Sequence, residues 1–442
     1  MTAIETLATF LAEDLRVPAV TRANARRHLT DTVAAWVAGA ATQEGRALLA
    51  FCPQGEIDVG TASALARLSE IDNIHLASAT TPGGIVIPAA LILAAARGAD
   101  GAALTGAIVA GIEAMVRLGL AIDGPQVIYR GIWPTYFTAP FGIAAVASRL
   151  YGFDAKQTGH ALALALTFAA PGVGHHNAAT TSRWFAMAQA ARNGLIATRA
   201  AQAGFTSDLG LLDSGFLQGI FGIAPNLDAF TKGLGERFAL DEASFKLWCA
   251  ARQTMAATQA LKEILADGVS PAQIHSLEVA VPPPYLKMTD HGVVPGDRAS
   301  HLTSLPYHLA IAACDPDAEF DIAQTPPSVP GPVRAFMAKV KVVVDAALLA
   351  HYPAAWPARL TVRTADGAHE RLMLNVPGDP ARPLSDAELD GKFRRFVAGA
   401  AGAPATESLF AACAVALETT GAASKLVAQI VGLHPRMSIA KR

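Results

Sequence analysis

Apolar residues recur at intervals of three and four over most of the first 266 positions, which predicts a chain built first of packed helices. Between Thr2 and about Phe51 this spacing is carried by Leu7, Phe10 and Leu11, then by Val33, Trp36 and Val37, and predicts two helices in a hairpin. Further helices are expected over Pro88 to Arg97, Gly101 to Gly119, 156–170 and Phe185 to Ala203. Ala and Gly dominate these runs and let helices approach closely, so the pattern favours a compact multi-helix bundle. After about Ala266 the period changes. Ile274 to Val281 alternates apolar with polar, and Arg359 to Val376 reads as a β-hairpin turning at Ala-Asp-Gly. Ser304 to Ala313 and Val329 to Val342 are mixed, and from Ser385 the chain returns to helix, with Glu407 to Val431 packing back on the first domain. The fold class expected is therefore mainly α: residues 1–266 and 396–442 as a large helical domain, and 267–395 as a smaller α+β domain.

Polar residues interrupt this background in three places. The first is Ala66 to Pro88, where Glu70, Asp72, Asn73, His75, Ser78, Thr80 and Thr81 are crowded before Thr-Pro-Gly-Gly. That segment should end one helix and restart another near Pro88, since proline suits a first helical turn. Helix capping accounts for any one of Asp72, Asn73 and Thr80. The whole cluster on an apolar background reads as a site, because desolvated polar groups need partners or a purpose. The second break, Asp123 to Gly142, carries Trp133, Thr135, Tyr136 and Thr138; the third, Pro171 to Phe185, carries His175, His176, three hydroxyls and Arg183. A bundle can gather such helix ends at one mouth.

Length and composition narrow the possibilities. At 442 residues the chain exceeds one ordinary core, which agrees with two domains. The formal net charge is −2, without a long run of one sign, so no nucleic-acid footprint is expected. A hydrophobic fraction of 52% makes a large subunit interface plausible. The apolar windows near Ile85 to Ala96 and Gly101 to Ile112, split by Arg97 and Asp100, fall short of a membrane span, and the acidic N-terminus lacks a leader pattern. Cys52, Cys249, Cys314 and Cys413 are scattered, which suits reduced, buried thiols in a cytoplasm.

No GxGxxG or GxxxxGK[ST] motif supports a nucleotide, no GxSxG elbow supplies a serine nucleophile, and the adjacent His175 and His176 lack the spacing of metal ligands. What remains is acid–base chemistry by His, Tyr and carboxylates, with Arg holding an anion. Arg183, alone among Thr180, Thr181 and Ser182, suits a carboxylate clamp, and an ordinary ion pair accounts for it equally well. Tyr307, among His301, Thr303, Ser304 and His308, is a further candidate.

In order and spacing, several segments resemble the MmgE/PrpD family of 2-methylcitrate dehydratase, cis-aconitate decarboxylase and iminodisuccinate epimerase. They are Glu70-Ile-Asp-Asn followed by Thr-Pro-Gly-Gly-Ile-Val-Ile-Pro, Gly131-Ile-Trp-Pro-Thr, Arg183 before Arg192-Asn-Gly-Leu, Ser304-Leu-Pro-Tyr307, Pro377-Gly-Asp-Pro with Pro383-Leu-Ser, and Lys392-Phe. The resemblance implies a helical domain formed by both chain ends, an α+β lid, a site between them, no cofactor, a homodimer, and proton abstraction next to a carboxylate. Dehydratase-like members have Asp-x-Asp-Asp-Thr, then His where this chain has Thr81, His where it has Trp133, and typically Lys where it has Arg183. Expelling hydroxide needs a well-placed general acid, so these losses weaken a dehydratase reading. Proton exchange needs two acid/base groups and anion clamps.

The expectation is thus a cofactor-independent epimerase of an amino- or imino-dicarboxylate. His75, Tyr136 and Tyr307 are its acid/base candidates, with Asp72 orienting His75. Arg183, with Lys246 or Arg252, binds carboxylates, and Thr81, Trp133 and Ser304 line the substrate. A hydro-lyase of a methylcitrate-like tricarboxylate and a non-catalytic carboxylate-binding protein are the alternatives.

Overall fold

A computed structural model describes the chain except for Asp14 and residues 53–55, 171–179, 324–327, 435–437 and 440–442. The break around His175 and His176 lies outside the described residues. The protein is mainly helical with a small mixed sheet. Its described residues divide into two compact units: those up to Ala170, Thr181–Ser244 and those from Ser385 onward form one, and Thr180 with Phe245–Leu384 the other. The divisions fall at 244/245 and 384/385, where the period change had suggested 266/267 and 395/396.

In the first unit the N-terminal region holds three helices, Ala3–Ala12, Ala19–Ala40 and Gln43–Phe51, where periodicity alone suggested two. Thr2 and Thr42 cap the first and third with their hydroxyls. At the centre lie Gly83–Arg97, Gly101–Ala121 and Pro134–Tyr151, whose side chains are almost all buried. The last two touch through glycine: a Cβ on Gly111 would stand 2.4 Å from Val146 Cγ2, and one on Gly142 would stand 2.9 Å from Met115 Cβ. Close approach therefore depends on these missing side chains.

Gly101–Ala121 is longer than the apolar window suggested and qualifies, by length and hydropathy, as a membrane span. Yet 89% of that window is buried inside the protein, and it carries the internal Glu113–Arg117 pair at 2.6 Å. The C-terminal helices Asp386–Ala401, Ala403–Val415 and Ala422–Gly432 belong to the same unit; Ser385 and Glu388 start the first with a reciprocal capping box.

In the second unit four strands lie in the order Val340–Val344, Ser276–Val281, Ala358–Thr364, Gly367–Met373; the first pair is parallel and the others antiparallel. Leu277, Val279 and Val281 alternate inward as their sequence predicts, and Leu277 pairs with Val362 and Val279 with Leu360 across the core face. The helix Arg252–Ala266 packs on the hairpin, and Leu305–Cys314 packs on that helix. Cys52, Cys249 and Cys413 are buried thiols, but Cys314, at the end of its helix, is exposed.

Candidate active site

The helix expected to restart near Pro88 begins at Gly83, and Pro88 lies inside it, forgoing a bond to the Gly84 carbonyl. Two side chains from ten to twelve residues upstream cause the early start. Asn73 Oδ1 accepts the Gly83 N–H at 2.8 Å, while the Asp72 carboxylate lies where a Gly84 side chain would be, 2.6 Å from an ideal Cβ. An anion and an amide oxygen at a helix N-terminus are favourable, and only glycine leaves room for them. Capping is thus the actual work of Asn73.

Asp72 was expected to orient His75, and the geometry overturns this. Asp72 Oδ1 accepts from Arg67 Nη1 at 3.2 Å, and the same nitrogen lies 3.0 Å from Glu70 Oε1. His75 turns instead to Ser78, with Nδ1 3.0 Å from Ser78 Oγ, and to Glu242, with Nε2 3.4 Å from Oε2. The short bridge between His75 and Thr80 forces this orientation: His75 N–H donates to the Thr80 carbonyl at 2.8 Å, and Ala79 takes a left-handed φ of 53°. His75 and Glu242 line a cavity of about 470 Å³ with Glu113, Arg117, Asn226 and Lys232; neither Tyr136 nor Arg183 borders it.

The remaining first-unit candidates do meet. Thr81 N–H donates to Thr135 Oγ1 at 3.1 Å and their hydroxyls lie 3.2 Å apart, which ties the first polar break to the start of the Pro134–Tyr151 helix. Trp133 precedes that helix and meets the Tyr136 ring edge-on at 5.8 Å. The Arg183 guanidinium, from the first turn of Ser182–Gln202, lies 5.3 Å from the centre of the Trp133 ring and 5.9 Å from that of Trp184. Tyr136 is 2% exposed. Burial pushes its phenol up to about 12 against the opposing pull of Arg67 and Arg183, with Glu70 and Asp72 adding to the rise. Burial also works against the charge of Arg67, but Asp72 and Glu70 outweigh it and hold the guanidinium protonated. The result is a buried phenol among two guanidiniums, two carboxylates and two indoles.

Arg67 and Trp184 were missed as candidate residues, and Glu70 was named only as a member of the polar cluster. Arg67 is the one charge in the Val59–Leu68 helix, three and five residues before the two carboxylates, and that isolation was the available signal. Nothing local pointed to Glu242, 167 residues from His75.

In the second unit, Tyr307 is buried between two imidazoles, edge-on to His301 at 5.0 Å and to His308 at 5.9 Å. Burial raises its phenol to about 12 and lowers His308 to about 4. Ser304, expected at the substrate, is a helix cap: its Oγ accepts the Tyr307 N–H at 3.3 Å and donates to the His291 carbonyl. Lys246 is buried. Arg252 is fully buried and donates from Nη2 to Asp379 Oδ2 at 2.7 Å, while its Nε and Nη1 have no hydrogen-bond partner among the described residues. Two such nitrogens on a fixed guanidinium suit a carboxylate. Among the described residues, no three His, Cys, Asp or Glu side chains converge as metal ligands.

Fold and site together define a mainly helical protein with a small α+β unit and a cation-rich phenolic cluster. Residues 5–226 match the MmgE/PrpD N-terminal domain and residues 248–416 the MmgE/PrpD C-terminal domain, so the chain belongs to the MmgE/PrpD family. The family is largely enzymatic and includes dehydratases, decarboxylases and epimerases. No curated protein matches the chain.

Proposed function

We propose that this protein moves a proton at the carbon next to a carboxylate, as a cofactor-independent epimerase of an amino- or imino-dicarboxylate such as iminodisuccinate. The observation that carries the reading is the buried Tyr136 phenol lying in the field of Arg67 and Arg183. Arg183 takes a substrate carboxylate in its planar fork. When a base on the opposite face takes the α-proton, the electron pair of the C–H bond spreads onto the carboxylate oxygens, and a preplaced guanidinium stabilises that charge. Tyr136 O–H then gives its proton to the α-carbon, and the tyrosinate left behind is neutralised by the two guanidiniums until it is reprotonated.

A phenol held at about 12 suits this step better than loss of water. Hydroxide departure calls for an acid with a pKa closer to working pH, and His75 is turned toward Glu242. The same reading has the protein working as a homodimer, which light scattering checks. Incubation with dicarboxylates in deuterated water tests the whole proposal. Incorporation of α-deuterium with loss of optical purity supports it; water loss with new ultraviolet absorbance makes the protein a hydro-lyase; neither outcome leaves a carboxylate-binding protein.

A further inference from the structure

The strap Glu70–Pro82, which presents Asp72 and Thr81, rests on a buried polar layer drawn from the two ends of the chain. Lys392, on Asp386–Ala401, pairs with Asp31 on Ala19–Ala40, and both side chains are 1% exposed. The same ammonium donates to the Ile71 carbonyl at 2.8 Å. One turn from Asp31, His28 Nδ1 lies 2.7 Å from Asn73 Nδ2, and the other end of that amide holds Gly83. Burial, with Arg27 and Lys392 nearby, keeps His28 neutral, so its Nδ1 accepts from Asn73. The backbone anchored in this way is strained: Glu70 sits at φ 59°, a left-handed conformation that a non-glycine residue adopts only when its surroundings impose it.

A buried ion pair is a poor way to stabilise a helix interface, since apolar side chains of similar volume do as well or better. The ammonium's second bond, to the Ile71 carbonyl, is one that apolar side chains cannot make. That bond lies between Glu70 and Asp72, the two carboxylates that hold Arg67.

We infer that Lys392, seated by Asp31 and supported by the His28–Asn73 pair, is a positioning residue that holds the Glu70–Asp72 backbone in register with Arg67 and Tyr136. The inference rests on the proposed function for its kinetic consequence only. Its test is the double variant Lys392→Met/Asp31→Leu, which replaces both members of the pair with apolar groups. The single variant Lys392→Met removes the ammonium while keeping the buried Asp31 carboxylate and is used only as a folding control.

In the double variant, melting is expected to stay near that of the parent. Backbone amides of the strap should exchange with deuterium at least tenfold faster, with those of Gly101–Ala121 unchanged. The kcat for α-proton exchange should fall at least tenfold with little change in KM, and Lys392→Arg, which retains a donor, should recover part of both. A double variant that melts normally with an unaltered strap and unaltered kcat overturns the inference. If the parent protein exchanges no dicarboxylate proton, the proposed function fails, and strap exchange alone then decides the role of Lys392.

Discussion

Tyr136→Phe separates chemistry from packing at the proposed centre. The substitution removes one oxygen and leaves the ring in edge contact with Trp133 and inside the core of the first unit. Because the hydroxyl is desolvated, its loss removes a burial cost along with whatever bonds it makes, and stability should change by no more than about 1 kcal/mol. General acid–base catalysis contributes about 10²- to 10⁴-fold, so the exchange rate should fall by that factor, or about 3–5 kcal/mol in the barrier. The assay is α-deuterium incorporation by NMR, paired with thermal melting of both proteins. Alkaline difference absorbance adds an independent readout. In the folded parent the Tyr136 and Tyr307 phenols should both titrate near 12, and the variant should lose one of the two. A folded pKa raised above the unfolded value of about 10 contributes stability below pH 10 that is lost as pH rises through 12. A variant that retains more than a tenth of the parental exchange rate, while folding normally, would refute the role given to Tyr136.

Three further outcomes follow from the geometry. His308, held at about 4 chiefly by burial, and His28, at about 3, are depressed below the unfolded imidazole, so the stability they contribute is present above about pH 6.5 and lost as pH falls through their folded values. For His308 alone this is about 3 kcal/mol, measurable as denaturant midpoints between pH 7 and 4. Gly111→Ala drives a methyl into Val146 and should cost about 1–3 kcal/mol by denaturant melting, whereas Gly98→Ala, with open space around it, meets only the penalty of its left-handed backbone. Arg252→Met leaves the buried Asp379 carboxylate without its guanidinium and should cost about 3–5 kcal/mol, most of which Arg252→Met/Asp379→Leu recovers.

Periodicity was enough to place the helix Gly101–Ala121, the inward alternation of Ser276–Val281 and the hairpin closing at Thr364 and Gly367, because spacing of three to four or of two is set by local backbone geometry. It misplaced the start of the helix carrying Pro88, because that start is decided by Asn73 and Asp72, which periodicity does not see. The crowding of polar residues from Ala66 to Pro88 was legible for a similar reason: charge and hydroxyls on an apolar background are a property of composition.

Their assignment was not legible. Both Asp72 and His75 could be named from the sequence, but which way each side chain turns depends on the φ of Glu70 and Ala79 and on partners at Glu242 and Lys392, far along the chain. Local residue types thus determined that this protein would be helical, with a polar strap against its core. Tertiary structure decided that Asp72 serves Arg67 and that His75 serves a different cavity, because a buried polar side chain takes the partner that the packed backbone leaves within hydrogen-bond reach, whatever stands beside it in the sequence.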